Sequence, residues 1–255
     1  RECALLGRRY MMERHDDHEL NDANLSVKVT NASLDTARSV LLREAQALHK
    51  LAEKLQQNDQ AMRFAIELVL GRSSKLASGK IVTVGVGKSG FVAQKLAATL
   101  TALGTQAVFL HPIEALHGDI GILQAECDTV LALSYSGESL EVLALMQLPQ
   151  VQRCAKIVMT ANEHAQLVRL ADAWLDCGCH DPMLKGTDAV LQGGFHTSSI
   201  EGWPEIPVPT TSAISTMALG DAFCVALSHA KGVQRQTFHA NHPGGNLGKV
   251  LLNMQ

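Results

Sequence analysis

The sequence predicts an α/β fold built on a parallel sheet of five strands with helices on both faces. Two observations carry this reading. From Lys80 onward, short apolar runs rich in β-branched residues recur, and a stretch with helical spacing follows most of them. Strands that are short and apolar, and that alternate with helices, belong to parallel sheets covered on both sides.

Taken in order, residues 1–32 are polar, carry His15, Asp16, Asp17 and His18, and show no period. They read as a mobile tail. The chain opens on Arg1 with Met11 and Met12 inside it, which leaves open whether this tail is native. Ser33 reads as an N-cap for a long amphipathic helix carrying Leu34, Val40, Leu41, Leu48, Leu51 and Leu55. Asp59 reads as a second cap, before Met62, Phe64, Ile66 and Leu68 to Leu70. Strands are expected at Ile81 to Val84, Ala107 to Leu110, Val130 to Leu133, Lys156 to Met159 and Ala173 to Leu175. Helices are expected at Ser89 to Leu103, ended by Gly104, at Ser139 to Leu148, at Ala165 to Leu170 and at Thr210 to Gly232. Residues 178–200 are rich in Gly, Ser, Thr and His and read as a loop insertion. Asn241 to Gly248 reads as a glycine-rich turn before a short terminal helix. Residues 33–255 then form one domain.

Composition excludes several functions. The chain has 255 residues, 46% of them hydrophobic and 18% charged, with a formal net charge of -3. That charge argues against a nucleic-acid partner, and 4% aromatics argues against a single-strand stacking platform. No apolar run is read as approaching the roughly 18 residues of a membrane span, so no membrane partner is expected. The six cysteines are scattered in a chain too long to need staples. Without a signal peptide, the default setting is reducing and cytoplasmic. The sequons at Asn24 and Asn31 then carry no meaning.

In parallel sheets, ligands bind outside the carboxyl ends of the strands. That gathers the loops at 85–90, 111–119 and 134–139 on one edge. The first, GVGKSG, offers Gly85, Gly87 and Gly90 for close backbone approach, with Lys88 and Ser89 as donors at a helix N-terminus. Val82 stands where a P-loop needs glycine. The spacing satisfies a dinucleotide fingerprint, but the next strand ends in His111-Pro112 rather than an acidic residue. A nicotinamide cofactor and a ligand-free turn stay open behind the favoured reading, a phosphorylated small molecule. The loop SYSGES offers the hydroxyls of Ser134, Ser136 and Ser139 around Gly137, a phosphate cradle of neutral donors or a plain N-cap. Glu138 and Glu141 follow, either complementing the helix dipole or reaching the cleft. In HPIEALHGDIG, a capped turn competes with a metal reading through His111, His117 and Asp119, whose spacing matches no standard zinc pattern. A Cys177-Gly178-Cys179-His180 metal site is weaker. Pro209 to Ser212 opens a helix with the hydroxyls of Thr210, Thr211 and Ser212, and His242 precedes Pro243 and two glycines. Neither a GxSxG elbow nor an HExxH helix is present.

Together these loops resemble the sugar isomerase (SIS) domain family, and most closely its arabinose-5-phosphate isomerase group. The resemblance rests on GVGKSG at 85–90, HPIEALHGDIG at 111–121, SYSGESLE at 134–141, EGWPEIPVPTTS at 201–212, MALGDA at 217–222 and NHPGGNLG at 241–248, in the family's order over roughly residues 34–255. It implies a flavodoxin-like sheet, a homodimer or homotetramer, and interconversion of aldose and ketose phosphates without metal or other cofactor. By motif, the family's functional lysine matches Lys88. Its acidic residues match Glu141, with Glu138 nearby, and Glu201, and its histidine matches His242. The sugar-phosphate contacts match Gly87, Ser89, His117, Ser134, Ser136, Ser139, Thr210, Thr211 and Ser212. Resembling chains usually continue into paired CBS modules, so regulation through them is expected to be absent here or lost by truncation. The stretch from Gly178 to Ser199 is longer than the family's link, which bears on the match at Glu201.

Isomerisation needs ring opening, then one base that moves a proton between C1 and C2 through a cis-enediol. An imidazole suits the first step, so His242 is assigned there. A carboxylate whose proton affinity is raised in a partly dry cleft suits the second, Glu201 first and Glu141 after it. Lys88 would stabilise the oxyanion or hold the phosphate. The competing class is a non-catalytic sugar-phosphate-binding regulatory module. A DNA-binding regulator of that kind carries a helix-turn-helix, and only polar residues 1–32 precede Ser33.

Overall fold

The computed structural model describes residues 29–73, 79–179, 200–203 and 206–243. Most of the tail, most of the 178–200 insertion and everything after Pro243 lie outside these residues. By contacts the chain divides into Arg1–Leu34 and Asp35–Gln255.

Helix α1 (Asn31–Gln57) begins two residues before the expected cap. Thr30 and Ser33 form a reciprocal box, the Ser33 N–H donating to Thr30 Oγ1 at 3.2 Å and the Thr30 N–H to Ser33 Oγ at 3.5 Å. Ser33 is therefore the third position of the first turn, not its cap. Helix α2 (Gln60–Ser73) starts after Asp59, as expected. The side chain bonding its first N–H is nevertheless Asn58, at 3.1 Å, while Asp59 pairs with Arg63 at 2.5 Å. Along α1, Ala47 and Leu51 are buried, whereas Leu34, Leu41 and Leu48, taken from sequence as part of the apolar stripe, are exposed.

The strands are β1 (Ile81–Val84), β2 (Ala107–Leu110), β3 (Thr129–Leu133), β4 (Ala155–Thr160) and β5 (Ala173–Asp176), each within one residue of expectation. They pair in parallel in the order β2-β1-β3-β4-β5. Helix α3 (Gly87–Ala102) joins β1 to β2. Helix α4 (Pro112–Leu116) and a 3-10 turn (Asp119–Ile122) follow β2. Helices α5 (Leu140–Met146) and α6 (Pro149–Gln152) lie between β3 and β4, and α7 (Gln166–Arg169) lies between β4 and β5. Helices α8 (Thr211–Ala230) and α9 (Arg235–Ala240) close the described chain. The sequence reading takes the α4 region as a loop and assigns no element to α6 or α9, whose few residues carry little periodicity.

Alternate strand residues feed two cores. Ile81, Leu131, Leu133, Ile157, Met159 and Leu175 pack with α2, α3 and α8. Val82, Val84, Val130, Ala132 and Val158 pack with α5, α6 and α7. Helix α8 is long and apolar enough, by length and composition, to cross a membrane, contrary to the expectation that no run approaches that size. Here its Leu219, Phe223, Cys224 and Leu227 are buried in the first core, and Gly220 lets the helix approach Leu96 of α3 so closely that a Cβ would sit 2.4 Å from it.

At the amino ends of the strands, fully buried Asp128 ties three donors together. It accepts from the Lys80 N–H at 2.9 Å, Lys80 Nζ at 2.6 Å and the Gln124 N–H at 2.8 Å. Replacing Asp128 by Ala strands all three, and the expected loss is about 3 kcal/mol of unfolding free energy. Urea denaturation checks this; a loss below about 1 kcal/mol would show that water replaces the carboxylate.

Candidate active site

Strand β1 sends its crossover toward β2, and strands β3 to β5 advance the other way, so the loops after β1 and β3 diverge at the sheet's carboxyl edge. A cleft of about 250 Å3 opens there, lined by Lys88, Ser89, Tyr135, Pro209, Ser212 and Thr216 among others.

The first wall is the β1 turn. Gly87 adopts φ +55° with open space where a Cβ would point, while Gly85 and Gly90 approach each other too closely for side chains. Val86 stands at the N-cap position of α3 and supplies no side-chain bond, so the first N–H groups of a 16-residue helix lack a side-chain acceptor. Such a terminus attracts an anion. Lys88 and Ser89 stand on it, and among the described residues neither side chain has a hydrogen-bond partner.

The β3 loop differs from a free cradle of hydroxyls. Ser134 is buried, shares a 2.9 Å bond with Ser139 and accepts from the Gly137 N–H at 3.1 Å. Ser136 accepts from the Glu138 N–H at 3.2 Å. Glu138 accepts from the backbone and side chain of Gln166, both at 2.9 Å. These groups brace the loop first, and Glu138 caps α7 instead of reaching the cleft. Gly137 at φ +72° lies so near Ala165 that a Cβ would sit 2.4 Å from its methyl. Glu141 is exposed on the first turn of α5.

The third wall is the start of α8. Glu201, 1% exposed, caps it: Oε2 accepts from the Thr210 N–H at 2.8 Å, Thr210 Oγ1 at 3.1 Å and the Ser212 N–H at 3.3 Å. Where the sequence reading places a carboxylate in a partly dry cleft, the structure adds three donors at a helix N-terminus. Glu201 lies one step behind the cleft, joined to it through Ser212. Thr210 Oγ1 also accepts from the Gly202 N–H at 2.8 Å. Thr211 is buried and does not line the cleft; its hydroxyl has no partner among the described residues.

Tyr135 and Thr216 line the cleft but escape the sequence reading. Tyr135 sits inside the SYSGES motif, where only the hydroxyls and glycine draw notice. Burial pushes its phenol far above the ordinary tyrosine range, so it stays protonated. Its ring packs near Cys179, whose thiol is also raised by burial. Burial likewise pushes Cys177 up to about 12. All five described cysteines are free thiols.

Two sequence candidates do not line this cleft. His117 is exposed at the end of α4 and is not among the cleft-lining residues. His111, the α4 N-cap, accepts from the Ile113 N–H at 3.3 Å. Among the described residues no three His, Cys, Asp or Glu side chains gather as a metal site, so His111, His117 and Asp119 do not converge. His242 stacks on Phe238 with ring centroids 4.0 Å apart, and its Nδ1 is 2.7 Å from the Phe238 carbonyl. Its neighbour Asn241 donates to the Thr101 and Ala102 carbonyls at the far end of α3. Thirteen to fourteen residues further along α3, that end is about 20 Å from Lys88. His242 is not brought to this chain's own cleft.

Residues 76–178 match the SIS domain family. The arabinose 5-phosphate isomerase GutQ of Salmonella typhi is 33% identical over 225 residues, covering 88% of this chain and 61% of that protein. The arabinose 5-phosphate isomerase KdsD of Pseudomonas aeruginosa is 38% identical over 188 residues, covering 74% of this chain and 50% of that protein. The chain therefore spans less than two-thirds of the length of these curated relatives. A solved structure of an Escherichia coli CFT073 protein in complex with arabinose 5-phosphate superposes with a TM-score of 0.62 at 29% identity, covering 84% of this chain and 100% of that one. Sheet order, strand-end loops and these matches agree: residues 76–178 carry a domain of the SIS type.

Proposed function

We propose that the cleft isomerises a sugar phosphate between its aldose and ketose forms, with D-arabinose 5-phosphate and D-ribulose 5-phosphate as the pair. The observation that carries this reading is one cleft walled by two unlike helix N-termini. That of α3 has no side-chain cap and bears Lys88 and Ser89; that of α8 already carries the Glu201 carboxylate. An anion is favoured at the first, and a carboxylate base belongs at the second. The phosphate sits against Gly87, Lys88 and Ser89, with Ser212 lining the same cleft, and the reacting carbons turn toward Glu201. The names of the matched relatives support the reaction class and the five-carbon substrate.

Glu201 moves the proton between C1 and C2. Its Oε2 is fixed by three donors, which leaves Oε1 without a described partner and oriented for transfer. Glu141 is the alternative base. Lys88 holds the phosphate or meets the enediol oxygen. No step requires a metal or a nicotinamide. His242 opens the sugar ring from a second copy of the chain, because the length of α3 separates it from its own cleft. Self-association as a dimer or tetramer has further support in apolar side chains left uncovered beside the cleft and on α1. Phe91 is 71% exposed, Leu140 77% and Leu41 68%.

One observation favours a second reading, a non-catalytic sugar-phosphate-binding regulatory module: Glu201 is engaged as a helix cap. Incubation with ribulose 5-phosphate separates the two, since calorimetric binding without an aldose phosphate product means a sensor. For the isomerase, Glu201→Gln should cut kcat by about 10^3-fold or more while substrate Kd stays within about threefold. Unchanged turnover removes Glu201 as base. Glu201→Ala should in addition lower unfolding free energy by about 1–2 kcal/mol through loss of the cap. Mixing inactive Lys88→Met and His242→Asn chains, after co-refolding, should restore part of the activity, up to about a quarter in a statistical dimer with two shared sites. No recovery counts against a site shared between copies.

A further inference from the structure

We infer that Tyr135 sets the length of sugar phosphate the cleft accepts, as a specificity-determining wall rather than as an acid or base. This deepens the reading above and rests on it for the nature of the ligand. Tyr135 is the only aromatic side chain among the described residues lining the cleft; its neighbours there are small or branched, such as Val92, Ser212, Ala213 and Thr216. Its backbone is pinned, the carbonyl accepting from Thr160 Oγ1 at 3.0 Å and from the Ala161 N–H at 2.9 Å. The ring packs against Ala47, Cys179 and Ile200. A side chain pinned at its backbone and packed along its ring cannot swing aside to admit a longer ligand, whereas exposed Lys88 across the cleft can.

The wall also stands where it matters. Tyr135 lines the cleft and also packs against Cys179 and Ile200, the residue before Glu201, in the buried layer behind it. A phosphate held at the α3 terminus fixes one end of the ligand, and the ring then limits how many carbons fit before the far wall. Removing the ring extends the cleft toward Glu201. One added carbon in a close-fitting pocket changes binding by about tenfold to two-hundredfold.

The test is calorimetric binding of arabinose 5-phosphate and of glucose 6-phosphate to the wild-type chain and to Tyr135→Ala, Tyr135→Leu and Tyr135→Phe. The wild type should prefer the five-carbon ligand. The Ala variant should shift the ratio of the two dissociation constants toward the six-carbon ligand by at least about tenfold. The Leu variant, which keeps the ring's packing volume near Cys179, should shift it in the same direction by less and guards against an Ala variant that does not fold. Phe should leave the ratio within about twofold of wild type, because the ring and not the hydroxyl forms the wall. A ratio unmoved in both the Ala and Leu variants overturns the inference, as does failure of the wild type to bind either ligand. Turnover is followed separately. Binding with a shifted ratio but without conversion rejects the isomerase and leaves Tyr135 as the gauge of the cleft.

Discussion

The handedness of parallel crossovers constrains everything else in this molecule. A strand-helix-strand connection in one sheet turns to the right, so the direction in which the next strand is added decides which face receives the helix. β1 to β2 runs one way and puts α3 on one face; β3 to β4 to β5 runs the other way and puts α5, α6 and α7 on the opposite face. Only between β1 and β3 do successive loops turn away from each other. The crevice is thus a product of strand order, and the glycine and serine turns acquire meaning because they end the two strands that border it.

Electrostatics then distinguishes the two sides of that crevice. Both α3 and α8 aim an N-terminus at it, and a helix N-terminus is a site of partial positive charge. If both were vacant, the cleft would hold an anion in more than one place and fix no orientation. The Glu201 carboxylate neutralises the α8 terminus through Thr210 and Ser212. It leaves α3, with Lys88, as the attractive end. A single buried acid therefore gives the cleft polarity, anion on one side and carboxylate on the other, before any ligand enters.

Much of this is legible from sequence, for identifiable reasons. The strands are readable because burial on both faces demands continuous apolar, β-branched residues, as in Ile81 to Val84. The turn at 85–90 is readable because close backbone approach admits only glycine at 85 and 90. Burial along α1 is easily misread: Leu34, Leu41 and Leu48 recur at helical spacing, but spacing does not say which stripe another element covers. The β3 loop misleads for a different reason. Whether Ser134 and Ser136 face a ligand or brace their own turn depends on bonds to Gly137 and Glu138, and hydroxyls a few residues apart can do either. Glu138 cannot be assigned at all from its local motif, because its partner is Gln166, 28 positions away. Tyr135 is hidden by its setting, since nothing local marks an aromatic between two serines as the wall of a cleft.

His242 carries the same lesson across the whole molecule. Its motif of Pro and glycines resembles a site, yet Asn241 anchors it beside Thr101 and Ala102, at the end of α3 opposite Lys88. A rigid helix cannot fold back to close such a gap. Either the imidazole is inert or another copy of the chain presents it. The second alternative explains a further feature that the first leaves without cause. Large apolar side chains on a domain surface are expected singly, but Phe91, one turn into α3, and Leu140, the first residue of α5, are 71% and 77% exposed. On the proposed reading, a second copy would cover this surface and supply the imidazole together.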